Sequence, residues 1–296
     1  MKILQIGSPK CGNFWLYKIL QQILELSGNP SSSFIQQHPI QEMAKSWELN
    51  YPEQAQIDQI NITDLQTVYR ISSIFQMPID DWPTYLSKTN HVWTHSPFCK
   101  NSGNVFELFD RKIYIIRDPR DMAISASKYY CSEYMLKYFP QEESNPERFL
   151  EKNFDKLLQE WVWHVWDHLR VSSKYNIHVA YFEGFLQDFQ KELSLLLDYL
   201  GTSLTSSERL ELEQAVSFST LKRKNPKHLK KGASGYWKDQ LTDYQISRAE
   251  VIAGPLLEYL KYSEETETIN FRRDFPQEDF EDLKAEIIDS QQPLYN

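Results

Sequence analysis

The sequence predicts an α/β protein of three layers, a parallel sheet flanked on both faces by helices. Three observations predict it. Short apolar runs alternate with longer stretches of helical spacing. The chain opens on a strand, a glycine loop and a helix in immediate succession. Its 296 residues show neither internal repeats nor a composition break marking a second domain, a length that one large α/β domain accommodates.

The elements follow in order. Ile3–Ile6 is the apolar centre of a strand over 2–7. Gly7 and Gly12 then stand in GxxxxG spacing, and Leu16, Ile19, Leu20, Ile23 and Leu24 keep the helical period of a helix over 13–27. Residues 29–66, rich in Gln, Ser and Pro, have no strong period, nor do 74–90. Both read as covering segments over the carboxyl ends of the strands, where open α/β sheets bind ligands. Further strands are expected at 67–73, 91–95, 112–117 and 177–182. Helices are expected at 102–109, 120–137, 147–174, 185–200, 206–216 and 242–260. Residues 1–262 form the predicted domain, and 263–296 an acidic tail, partly mobile, with helical potential near 278–288.

Composition narrows the function. The net charge of −9 disfavours a nucleic-acid partner. From Ser263 to Asn296 there are ten acidic and three basic residues, so the body before the tail is nearly neutral. Within that body, LKRKNPKHLKK (221–231) holds six basic residues and no acid, a seat for a small polyanion. Three widely spaced cysteines, Cys11, Cys99 and Cys131, argue against a disulfide framework. No stretch approaches 18 apolar residues and no signal-peptide core opens the chain, so the expectation is a cytoplasmic protein with no membrane partner.

Three segments carry chemistry. GSPKCGNFW places a glycine loop and a helix start, both sources of anion-binding N–H groups, beside the cation Lys10. A nucleoside-triphosphate loop next requires Lys and then Ser or Thr, whose hydroxyl binds Mg²⁺. Asn13 and Phe14 stand there instead. In KIYIIRDPRDMAISASKYY (112–130), Arg117 closes a strand just before a helix that starts at Pro119, a position suited to a phosphate, with Ser125 two turns further on. A salt bridge from Arg117 to Asp118 or Asp121 is the structural alternative. HLKKGASGYWKDQLT (228–242) reads as a flexible basic loop.

Taken together, these segments resemble the cytosolic sulfotransferases, which transfer a sulfonate from 3′-phosphoadenosine 5′-phosphosulfate (PAPS) to a hydroxyl or amine. GSPKCGNFWL is similar to the family's PKSGTTWL loop, IIRDPRDMAIS to its 3′-phosphate segment, and KKGASGYWKDQLT to its RKGxxGDWKxxFT segment. With VWTHSPF (92–98) between the first two, the resemblance spans about residues 3 to 242. It implies a sheet related to the P-loop nucleotide kinase fold, PAPS as donor, PAP as product and no metal, which accounts for the missing Ser/Thr ligand.

The resemblance also implies roles. Lys10 contacts the bridging oxygen of the phosphosulfate and stabilises the leaving phosphate. The amides of Cys11, Gly12, Asn13 and Phe14 hold the 5′-phosphate, and Trp15 stacks on adenine. Arg117 and Ser125, with Lys230, Lys231 and Gly232, clamp the 3′-phosphate. Phe182, Ser217, Phe218 and Leu221 line the adenine pocket. His95 is the catalytic base, and Trp93 and His164 face the acceptor. Cys11, at a helix start beside Lys10, is expected to be the most reactive thiol.

Departures accompany the match. Trp93 replaces the family's lysine two residues before the histidine, and both loop threonines are replaced. A dimerisation signature survives only at Lys238 and Thr242, which leaves the oligomeric state open. The pair His164 and His168, at i, i+4, has no third metal ligand in sequence. The expected function is sulfonate transfer to a hydroxyl of a small, apolar acceptor, with a carrier-bound acyl chain as a further possibility. Two rivals are a non-catalytic PAP-binding protein, motivated by Trp93, and a nucleotide-dependent kinase.

Overall fold

The computed structural model describes residues 1–72, 74–224, 232–262 and 270–292. Seven strands form one sheet: β1 (Ile3–Ile6), β2 (Gln59–Ile62), β3 (Thr67–Ile71), β4 (Phe75–Pro78), β5 (His91–Thr94), β6 (Arg111–Ile116) and β7 (Ile177–Tyr181). Their order is β4-β3-β2-β5-β1-β6-β7. β2, β5, β1, β6 and β7 run parallel, so their carboxyl ends share one edge.

Alternation along the central strands separates two cores. Ile3, Ile113, Ile115 and Ala180 pack under α1 (Asn13–Leu26) and the helix Phe189–Leu200. Leu4, Ile6, Tyr114 and Ile116 face the opposite layer, which includes α2 (Pro119–Tyr130), α3 (Pro146–Arg170) and α4 (Asp243–Tyr259). A last helix, α5 (Asp279–Gln291), covers the expected helical stretch and lays Phe280, Leu283 and Ile287 into the second core. The Trp166 indole N–H donates to the Phe280 carbonyl (3.2 Å), and the Gln291 amide to the Ile252 carbonyl (3.1 Å).

The sheet is mixed rather than wholly parallel. β3 runs antiparallel to both β2 and β4. Residues 59–62 and 75–78, expected as covering segments, are strands of four residues each, too short to show a period against polar neighbours. A turn in which Thr63 exchanges hydrogen bonds with Gln66 reverses the chain between β2 and β3. A second turn, with Ser72 at φ 53°, follows β3. Three expected helices are each divided, in two cases by a residue that caps the next segment. Ser132 accepts from the Met135 N–H and Asp188 from the Lys191 N–H, ending one helix and starting another. The third, expected over 147–174, breaks at Val171.

Candidate active site

The site sits at the carboxyl edge, where successive parallel strands deliver their next residues. β1 runs into the loop 7–12, β5 into His95, β6 into Arg117 and β7 into Phe182. A cavity of about 1260 Å³ opens there, larger than the roughly 300–1,000 Å³ of a pocket for one small ligand. Lys10, Gly12, Trp15, Trp93, His95, Arg117, Ser125, Phe182, Phe218, Leu221 and Gly232 all line it, together with Asn13 and Phe14.

The loop is shaped from within. Lys10 (φ 66°) and Gly12 (φ 89°) both take left-handed backbone, and a Cβ on Gly12 would meet Phe182 Cδ2 at 2.4 Å. Asn13 does not present its side chain as a ligand: its Nδ2 donates to the Ser8 carbonyl (2.8 Å), and its own carbonyl accepts from Gln5 (2.7 Å). The Cys11 N–H turns back to the Ser8 carbonyl. The Cys11 thiol is fully buried, and burial pushes its pKa up to about 12. This overturns the expectation of a reactive cysteine, because desolvation of the thiolate outweighs the helix start and the neighbouring charge. Lys10 places Nζ 4.3 Å from the centre of the Tyr129 ring, and burial with the nearby Arg117 charge lowers its pKa to about 8.

Arg117 is 6% exposed. Its Nη1 donates to the Lys10 carbonyl (3.2 Å) and Nη2 to the Ala233 carbonyl (3.3 Å) and the Tyr236 hydroxyl (3.1 Å), with the guanidinium 4.4 Å from the Phe182 ring centre. Nε is buried without a partner. The alternative salt bridge does not form: Asp118 pairs with Arg120 at 2.7 Å, and Asp121 accepts from the N–H groups of Gly235 (2.6 Å) and Trp237 (2.9 Å). Those two bonds, and the Tyr236 hydroxyl donating to the Asp121 carbonyl (3.0 Å), tether the 232–237 segment across the cavity mouth. Behind Arg117, Glu183 accepts from the Asp118 N–H and the Tyr262 hydroxyl, and burial, with the Asp118 charge, raises it to about 7.

Nδ1 of His95 lies 2.6 Å from the Gly7 carbonyl, which fixes the proton on that nitrogen and leaves Nε2 as the lone-pair side. Burial, then the charges of Arg70, His164 and Lys10, lower its pKa to about 3. His164 does not line the cavity. It is buried beneath, bonded to the Tyr114 hydroxyl (2.8 Å) and the His95 carbonyl (3.3 Å), and stacked on His168 at 4.5 Å. Ser217 is also outside the lining: its hydroxyl bonds to Thr220 at the start of helix Phe218–Lys224. Lys230 and Lys231 lie outside the described residues. Trp15 sends its indole N–H to the Val216 carbonyl (2.9 Å) and meets Phe182 edge to face at 5.4 Å.

Arg70, Tyr129 and Tyr236 line the cavity too, and sequence reasoning gave none of them a role. For Tyr236 one signal existed, an aromatic set between Gly235 and Trp237 in the basic loop. Among the described residues no group of three His, Cys, Asp or Glu is placed to hold a metal ion. No helix among them is long and apolar enough to cross a membrane.

A family model for the sulfotransferase domain matches residues 1–261. The chain belongs to the sulfotransferase family. Sulfotransferase 2A6 of Mus musculus is 25% identical over 164 residues, which cover 50% of this chain and 57% of that protein. Sulfotransferase 2B1 of Rattus norvegicus is 23% identical over 252 residues, 79% of this chain and 64% of the relative. The chain thus spans about three fifths of the curated relatives it matches. Among solved structures, mouse sulfotransferase SULT7A1 complexed with PAP superposes with a TM-score of 0.56 at 16% identity, covering 96% of this chain and 88% of that one. Retinol dehydratase in complex with androsterone and PAP does so with a TM-score of 0.56 at 15% identity, covering 90% and 82%. These likenesses establish the fold, and with it the kinase-related α/β architecture expected from sequence.

Proposed function

We propose that the protein transfers a sulfonate from PAPS to a hydroxyl of a small acceptor by in-line displacement, with His95 as general base. The observation that carries this reading is the His95 tautomer. With Nδ1–H held by the Gly7 carbonyl, Nε2 is the unprotonated nitrogen of a residue that lines the cavity one strand away from the Lys10 loop. As the acceptor oxygen attacks sulfur, its proton passes to Nε2 while the bond from sulfur to the bridging oxygen breaks. Lys10 stabilises the charge that develops on the leaving 5′-phosphate.

The cavity fits the donor at its other end. Arg117 is a buried cation with one N–H unused, which suits the 3′-phosphate, and Ser125 and Gly232 border the same wall. Trp15 and Phe182 offer an aromatic surface to adenine, with Phe218 and Leu221 nearby. A metal has no task in this scheme, because the cations that meet the phosphates are side chains.

His95 is a weak base while its pKa stays near 3. The bound donor corrects this in part, since its negative charge offsets the Lys10 and Arg70 charges that face the ring. Labelled PAPS, offered with a panel of phenols, alcohols, amines and hydroxylated acyl substrates, tests the proposal. Transfer to a hydroxyl that His95→Gln abolishes supports it, and wild-type turnover in that variant refutes the base. A second reading, a PAP-binding protein without turnover, is favoured by one observation: Trp93 stands where the family has lysine, and its buried Nε1 has no partner. PAP binding with no transfer to any of the panel decides for it.

A further inference from the structure

The acceptor end of the cavity is not simply apolar. The strand register aligns Arg70 with Gln59, and Gln59 with Trp93, in one row on the sheet face that also carries Gln5. All three residues of that row line the cavity. Arg70 leaves β3, two strand spacings from β5, which delivers His95; β6, which delivers Arg117, is two spacings beyond on the other side. At about 4.8 Å per spacing, the strands that carry Arg70 and lead into Arg117 stand roughly 19 Å apart across the sheet, with the strand that delivers His95 between them. A donor whose phosphates occupy Arg117 and Lys10 therefore leaves Arg70 to the other substrate.

The surroundings of Arg70 describe what that substrate carries. Nε donates to the Ser72 carbonyl and Nη1 to Asn61 Oδ1 (3.3 Å), two neutral acceptors that fix the guanidinium plane. Tyr129, Tyr130 and Tyr134 line the same cavity, close enough for their hydroxyls to act on its charge. Gln54 joins the same wall, donating to the Ser72 hydroxyl (2.6 Å) and to Tyr134 (3.1 Å). The carboxylates that border the cavity, Glu48 and Glu133, are exposed at its rim, and Glu48 is bound to Lys137 at 2.7 Å. A guanidinium in a concave wall is a strong site for an oxyanion, because the charge-assisted bond offsets the desolvation of both groups.

We infer that the acceptor carries an acidic group, a carboxylate or phosphate, that Arg70 binds while the hydroxyl to be sulfonated sits at His95. The inference rests on the proposed sulfotransfer and names its substrate class: a hydroxy acid whose two functions stand several bonds apart along an aromatic-walled cavity. Arg70 is then a specificity residue rather than a member of the donor clamp.

The test compares matched pairs, 4-hydroxyphenylacetate and a 16-carbon ω-hydroxy fatty acid, each beside its methyl ester, with labelled PAPS and the full chain. The expected result is an acid preference of at least about tenfold in kcat/KM for one pair or both, about 1.4 kcal/mol. Arg70→Gln brings the ratio to about one, and Arg70→Lys keeps part of it. PAP affinity, measured by calorimetry, confirms that each variant is folded. The inference is overturned if both esters react as well as the acids in the wild type, if the preference survives Arg70→Gln, or if PAP binds and neither acid reacts. Failure of the wild type to bind PAP is a different result: it removes the sulfotransfer reading and this inference with it.

Discussion

If PAP binds at the Lys10 loop as proposed, Lys10 makes that binding sensitive to alkaline pH. Burial and the Arg117 charge lower its pKa from the ordinary 10.5 to about 8. In the free protein, then, Lys10 loses its proton as pH rises through 8, whereas an anion in the loop favours the charged form. Binding must restore that proton, so the Kd for PAP climbs above pH 8 with a slope that approaches tenfold per unit, roughly 50-fold between pH 8 and 10. The neighbouring groups leave this window clear. Burial holds Cys11 near 12 and keeps Tyr129 above its ordinary range, and Glu183, with its midpoint near 7, is almost wholly ionised above pH 8. The phosphates of PAP, with second ionisations near about 6, are fully charged throughout. Calorimetric titration of PAP at constant ionic strength, from pH 7.5 to 10, measures the slope. Lys10→Arg keeps its charge over the whole range, and its Kd stays level. A wild-type Kd constant within threefold from pH 8 to 10 refutes the reasoning, as does an equal slope in Lys10→Arg.

Four shorter predictions accompany it. His95→Gln lowers turnover by roughly 10²–10⁴-fold, the ordinary share of a general base, while PAP affinity stays within about threefold; a parallel loss of both would make His95 a binding residue instead. Glu183, raised to about 7 by burial and Asp118, becomes charged behind Arg117 as pH rises through 7, so PAP binds more weakly above that pH; the step is absent from Glu183→Gln, and its persistence there assigns it elsewhere. Iodoacetamide labels Cys99 and Cys131, both half-buried, well before the fully buried Cys11, and peptide mapping that finds Cys11 modified as fast contradicts the placement of its thiol. PAP at 100 times its Kd stabilises the fold by about 2.7 kcal/mol with EDTA present; ATP with Mg²⁺, lacking a 3′-phosphate for Arg117, shifts the melting temperature less, and equal shifts refute a two-ended clamp.

That Lys10, Arg117 and His95 share one cavity was legible because they lie next to features that announce themselves. Lys10 stands inside a glycine loop, Arg117 one residue past an apolar run, and His95 at the end of VWT. Each is set by the last strand residue before it, so a correct strand assignment places the side chain. Arg70 lies inside a strand of a hairpin whose members are four or five residues long and flanked by polar residues. Nothing local distinguishes it from a solvated arginine; only the register Arg70–Gln59–Trp93 brings it to the cavity. His164 fails in the opposite direction. Its place on α3 was foreseen, but the helix turns it beneath His95 rather than beside it. Cys11 was misjudged because sequence shows its neighbours and not its burial, and burial dominates.

Asn13, Phe14 and Trp93 share a logic that only packing reveals. Asn13 ties the helix start to Ser8 and Gln5 rather than reaching into the cavity. Phe14 and Trp93 belong to a small apolar cluster with Tyr17, Tyr51 and Ile57 at the edge of the acceptor wall. The hydroxyls and the cation that the family pattern places here have been exchanged for internal bonds and aromatic surface. The loop is thereby rigid before anything binds, which lowers the ordering entropy that binding must overcome. Positive charge at the acceptor side now comes from β3 through Arg70, about two strand spacings from His95. Under the proposed transfer, that relocation moves the cation away from the reacting sulfur and toward the body of the acceptor, so the same chemical step would be joined to a different demand on the molecule that receives the sulfonate.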